Sequence, residues 1–135
     1  MNSSSDNDQP GSGSSDLKGL RVLLVEDSWN VGVALKALLR AWGADVAGPV
    51  ATTAEAERLL LEYTPDVAIV DINLRGGELA YGLIDQLHNQ QISVVVTSGY
   101  SSPPPGKAWV FLQKPIVEAQ LLATLRAIMV EKAAR

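Results

Sequence analysis

A chain of 135 residues, 47% of them hydrophobic, is sized for one globular domain with a substantial core and is too apolar for a disordered protein. Its formal net charge of -4, with the basic residues scattered, gives no electrostatic footprint for nucleic acid. The lack of cysteine removes disulfides and thiol-based metal or redox chemistry and suits a reducing cytoplasm. The polar start and the absence of any apolar run near the roughly 20 residues of a spanning helix predict a soluble chain without membrane contact.

Residues 1–17 are rich in Ser, Asp, Asn and Gly and read as a disordered polar tail, with the folded domain over 18–135. Arg21-Val22-Leu23-Leu24-Val25 is a first strand that ends on two carboxylates, Glu26 and Asp27. Ser28 can cap a helix in which Val31, Leu35, Leu38 and Trp42 recur at helical spacing until Gly43 ends it. Residues 44–49 supply a short second strand and a turn. Thr52 and Glu55 form a capping-box pattern, and Ala56, Leu59, Leu60 and Tyr63 stripe a second helix that Pro65 breaks.

The run Val67-Ala68-Ile69-Val70 stops at Asp71; its length and β-branched residues predict a buried strand of a parallel sheet. Gly76-Gly77 is a turn, because it lacks the glycine spacing and Lys-Ser/Thr of a phosphate loop. Ala80, Leu83, Ile84 and Leu87 then mark a third helix. A fourth strand over 92–98 closes on Thr97 and Ser98. Pro103-Pro104-Pro105 is incompatible with a regular helix, so a helix between the fourth and fifth strands is short or missing. Residues 108–112 form a fifth strand, and Lys114-Pro115 leads into a last helix striped by Leu121, Leu122, Leu125, Ile128 and Met129.

Alternating strands and helices with short connections predict an α/β domain with a doubly wound parallel sheet and right-handed crossovers. Ligands of such sheets gather at the carboxyl ends of the strands, which here carry Glu26, Asp27, Asp71, Ser98 and Lys114. Three carboxylates brought together repel one another without a cation, and an all-oxygen donor set suits Mg2+. A lysine and a hydroxyl add a positive charge and a donor for phosphoryl oxygens. Together these groups suit phosphoryl transfer onto a carboxylate, with Asp71 as the nucleophile.

An acidic pair ending the first strand, an aspartate ending the third, Ser98-Gly99 ending the fourth and Lys114-Pro115 ending the fifth occur in order. By this set the chain resembles the receiver domain of two-component response regulators, over essentially everything after residue 18. The resemblance implies a flavodoxin-like, five-stranded sheet of order 2-1-3-4-5. It implies Asp71 as phosphoacceptor, Asp27 as direct Mg2+ ligand, Glu26 as a ligand through water and Asn73 as a backbone-carbonyl ligand. Lys114 would pair with the phosphoryl group, Ser98 would supply the switching hydroxyl, with Thr97 as its alternative, and Phe111 would be the switch aromatic. The Lys114-Pro115 bond is expected to be cis. The implied donor is a histidine kinase or a histidine phosphotransfer protein, and the output is contact with a further protein rather than enzymatic turnover. Ser98-Gly99-Tyr100 is similar to a motif in receivers of hybrid kinases and of an alphaproteobacterial group of stand-alone regulators.

Other readings of single residues stand beside these. Phe111 suits a core strand position equally well. His88 is expected on the surface, Trp42 in the core, and Trp29 at the rim of the site or in a kinase interface. Alternative functions are a receiver cut from a hybrid kinase, a phosphatase of the haloacid dehalogenase type, or a pseudo-receiver that is not phosphorylated. The dehalogenase type is disfavoured because Asn73 stands where its signature has a second aspartate, and the pseudo-receiver because the acidic set is complete.

Overall fold

Runs apolar on both sides fill the middle of a sheet, and runs with one polar side end up at its edges. The computed structural model, which describes residues 15–74, 79–99 and 110–134, follows that division. The interior strands are β1 (Arg21–Val25), β3 (Val67–Asp71) and β4 (Ser93–Ser98), and all five residues of β3 are buried. The edges are β2 (Asp45–Val50) and β5 (Val110–Gln113). All neighbours pair in parallel, in the order β2-β1-β3-β4-β5, which is the order the resemblance implies.

Four helices are present among the described residues: α1 (Trp29–Ala41), α2 (Thr53–Leu60), α3 (Tyr81–Asn89) and α4 (Glu118–Ala133). Successive side chains of a strand face opposite sides, so each strand feeds two cores. On one side Val22, Leu24, Ile69, Val95 and Leu112 pack with Leu35 and Leu39 of α1, with Trp42 just past it, and with α4. On the other, Leu23, Val25, Ala68, Val70, Val94 and Val96 pack against Ala56 of α2 and Leu83, Ile84 and Leu87 of α3. His88 is exposed and Trp42 is buried, as expected. Among the described residues no helix is long and apolar enough to cross a membrane.

Four details differ from the expectation or fall beyond it. Leu17, assigned to the tail, is completely buried; its amide donates to the Trp42 carbonyl at 2.8 Å, and Asp16 pairs with Arg126 of α4 at 3.0 Å. The rest of the tail, residues 1–14, lies outside the described residues. Tyr63 is not part of α2. The helix stops at Leu60, because Pro65 cannot donate to a helical carbonyl four residues back and biases Thr64 out of the helical region. Tyr63 instead lies under the Arg21 guanidinium, 4.3 Å from ring centre to carbon, and its hydroxyl donates to the Asp45 carbonyl at 3.1 Å.

Gly48-Pro49 is not a turn after β2 but lies within the strand. The segment around Pro103-Pro104-Pro105, where a helix was expected to be short or missing, is outside the described residues. The bonds preceding Pro49 and Pro115 are both cis, the second as expected.

The burial of Leu17 yields a test of where the domain begins. Leu17→Ala should cost about 2–5 kcal/mol, the range for emptying a leucine site in a packed core, read as a lower urea midpoint. An unchanged midpoint would return Leu17 to the tail.

Candidate functional site

The carboxyl end of the sheet assembles the site. β1 and β3 are neighbours with Val25 opposite Val70, so the residues that follow, Glu26 and Asp71, emerge side by side. Both are buried, at 3% and 4% relative exposure. β5 is two strands from β3, roughly 10 Å away, a span that only a long side chain can bridge. Lys114 does so. Its ammonium donates to Asp71 Oδ2 at 2.8 Å and lies 2.8 Å from Glu26 Oε1.

The remaining carboxylate oxygens are held by backbone amides. Asn73 N–H donates to Asp71 Oδ1 at 3.0 Å, and Ser28 N–H donates to Glu26 Oε2 at 3.1 Å. The Lys114 amide donates to the Ser98 carbonyl at 2.7 Å, which continues the β4–β5 pairing to the lysine itself.

Asp27 completes the group: Glu26, Asp27 and Asp71 each offer a carboxylate oxygen within 4.8 Å of the others. Burial pushes the Glu26 carboxyl above its ordinary value, against the opposing pull of its hydrogen bonds to Lys114 and Ser28. Burial by itself would lower Lys114, but its hydrogen bonds to Asp71 and Glu26 outweigh that and raise it, so the ammonium stays charged at neutral pH. Three carboxylates against one ammonium leave a surplus of negative charge. That surplus on oxygen donors, without a nitrogen or sulfur ligand in the cluster, fits Mg2+.

The register decides between the two adjacent hydroxyls. Thr97 is the partner of Asp71 across β3 and β4. Val95, two residues earlier, belongs to the core on the α1 and α4 side, whereas Val94 and Val96 belong to the other core. Alternation therefore carries Thr97 to the face shared by Asp71 and Lys114, and Ser98 to the opposite face. The facing therefore favours Thr97, the alternative, over Ser98, although both residues are buried. It is set by strand register, for which the local sequence carries no signal. Phe111 pairs with Val96 and is half-buried against the α2 and α3 core, on the face opposite Lys114. Trp29 opens α1 and is 70% exposed. An apolar groove of about 560 Å3 runs beside Lys114, between Val31, Leu35 and Leu38 of α1 and Pro115-Ile116.

No protein-family model and no curated protein sequence matches the chain. Solved structures do. The response regulator PhyR from Brucella abortus aligns with a TM-score of 0.74 at 20% identity, covering 88% of this chain and 52% of PhyR. A CheY-like receiver domain from Methylobacillus flagellatus aligns with a TM-score of 0.70 at 26% identity, covering 81% of this chain and 98% of that domain. SdrG from Sphingomonas melonis aligns with a TM-score of 0.70 at 28% identity, covering 82% and 96%. The chain spans about half the length of PhyR, 46% of one PhyR chain and 52% of another. With this sheet order and these neighbours, the chain has the receiver-domain fold of response regulators.

Proposed function

We propose that this protein is a phosphoacceptor receiver in a two-component phosphorelay, taking a phosphoryl group onto Asp71 and signalling through protein contacts. The observation that carries the reading is Lys114 bridging buried Asp71 and Glu26, with Asp27 close enough to share a cation with both. The donor is a phosphohistidine of a histidine kinase or a histidine phosphotransfer protein. One carboxylate oxygen of Asp71 attacks phosphorus, the P–O bond forms as the P–N bond breaks, and the leaving imidazole takes up a proton. No oxidation change is involved.

Asp27, Asp71 and the Asn73 backbone carbonyl would hold Mg2+ directly, with Glu26 acting through water. The ion's chemistry there is neutralisation of the charge on the transferring group. Lys114 stabilises the same oxygens as a fixed positive charge, and Thr97 is the hydroxyl on the right face to donate to the phosphorylated product. Phe111, on the far side of β5, carries the change toward the output surface. The apolar groove beside Lys114 provides a seat for the donor protein next to the acceptor.

The absence of cysteine suits the cytoplasm as the compartment. The downstream partner is a protein. One PhyR structure among the neighbours is described as an anti-anti-sigma factor, which makes regulators of sigma factors a class to screen.

Incubation with acetyl phosphate and Mg2+ should add one phosphoryl group by intact mass, and chelation or Asp71→Asn should abolish it. A mass gain that persists in Asp71→Asn overturns the assignment, and catalytic turnover of a phosphatase substrate favours the dehalogenase alternative. In the same assay Thr97→Ala should slow phosphorylation on the order of ten-fold, less than complete loss of an oxyanion donor because Lys114 remains. Ser98→Ala should fall within about two-fold of the parent. The reverse ranking would reinstate Ser98.

A further inference from the structure

Glu26 is the most buried of the three carboxylate residues, and its position is set by an element that the transfer chemistry does not use. The pairing of β1 with β2 runs Leu23 opposite Ala47 and then Val25 opposite Val50. Two steps on β1 therefore answer three on β2, and the extra residue falls at Gly48-Pro49 as a bulge. Gly48 has φ +104, and a Cβ there would run into the Leu24 carbonyl oxygen, so no other residue fits. The Gly48 carbonyl accepts a hydrogen bond from Lys36 Nζ of α1 at 2.9 Å.

The Pro49 ring sits in a notch of α1 made by Gly32. A Cβ on the buried Gly32 would come within 2.8 Å and 2.9 Å of two Pro49 ring carbons and 3.8 Å of Glu26 Cγ. Immediately after the bulge, the Val50 carbonyl accepts the Glu26 amide at 2.8 Å. The residue that follows the bulge thus holds the Glu26 backbone, and Gly32, which makes room for the Pro49 ring, lies beside the Glu26 side chain as well.

Resting on the phosphoacceptor reading, we propose that the Gly48-Pro49 bulge and Gly32 form a positioning bracket for Glu26, and that through Glu26 they tune Mg2+ affinity and the Lys114 contact. These are positioning residues; none meets the metal or the phosphoryl group. A bracket is needed because Glu26 must reach Lys114 with one oxygen and the Ser28 amide with the other, which fixes both its height and its rotation. Outer partners of metal sites of this kind commonly change affinity by one to two orders of magnitude when removed.

Calorimetric Mg2+ titration of the full chain, without any phosphodonor, tests the proposal. Gly32→Ala pushes on a ring that cannot swing aside, and should weaken Mg2+ about ten-fold. In the metal-free protein it should also shift the side-chain carboxyl carbon resonance of Glu26 itself. Gly82→Ala, the same change at an exposed helical site with nothing within 4 Å, should do neither. In a Glu26→Gln background Gly32→Ala should add no further loss, since the bracket acts through that side chain. If Gly32→Ala does not fold, Lys36→Met, which frees the Gly48 carbonyl, takes its place with the same expectation. Unchanged Mg2+ affinity in the folded variant, or a full additional loss on top of Glu26→Gln, overturns the bracket while leaving the acceptor assignment standing. A parent chain that binds no Mg2+ overturns both.

Discussion

One ammonium between two buried carboxylates is the constraint around which the carboxyl end of this domain is built. Charges with so little exposure are tolerated only when paired and fully hydrogen-bonded, and removing one member of such a set leaves an uncompensated buried charge. Lys114 supplies the pairing for Asp71 and Glu26 together, while the Asn73 and Ser28 amides take the oxygens it does not reach. None of these five groups is near its partner in sequence, except each amide and its own carboxylate. The arrangement exists only because the strand order brings β1 and β3 into contact and sets β5 one lysine's length away.

The same parity that builds two cores sorts the site. Residues continuing the alternation of Leu24, Ile69, Val95 and Leu112 are Glu26, Asp71, Thr97 and Lys114, and all of those apolar residues belong to the core under α1 and α4. A slip of one residue in any of these strands would send its functional group to the other face.

Much of this was legible from the sequence for reasons that are local. The apolar runs, the carboxylates that end them and the Thr52–Glu55 cap each depend on a few consecutive residues, and each is found, while the cis bond before Pro115 came with the family resemblance. The misjudged details depend on something distant. Leu17 is one apolar residue in a polar stretch and gives no period; its burial follows from where the end of α1 and α4 lie. Gly48-Pro49 has the composition of a turn, and only the pairing with β1 reveals a bulge. Thr97 and Ser98 are chemically near-equivalent, and the register of β4 on β3 separates them.

β5 delivers side chains to both faces of the sheet. Lys114 and Leu112 belong to the α1 and α4 face, whereas Phe111, an odd number of residues away, belongs to the other. Lys114 and the half-buried Phe111 thus lie on opposite sides of one short edge strand, four residues long, which is hydrogen-bonded on its inner side to β4. An edge strand is hydrogen-bonded on one side only, and Phe111 on it is half-buried against the core under α2 and α3. The bulged edge β2, by contrast, is pinned to α1 by Lys36 and the Gly32 notch.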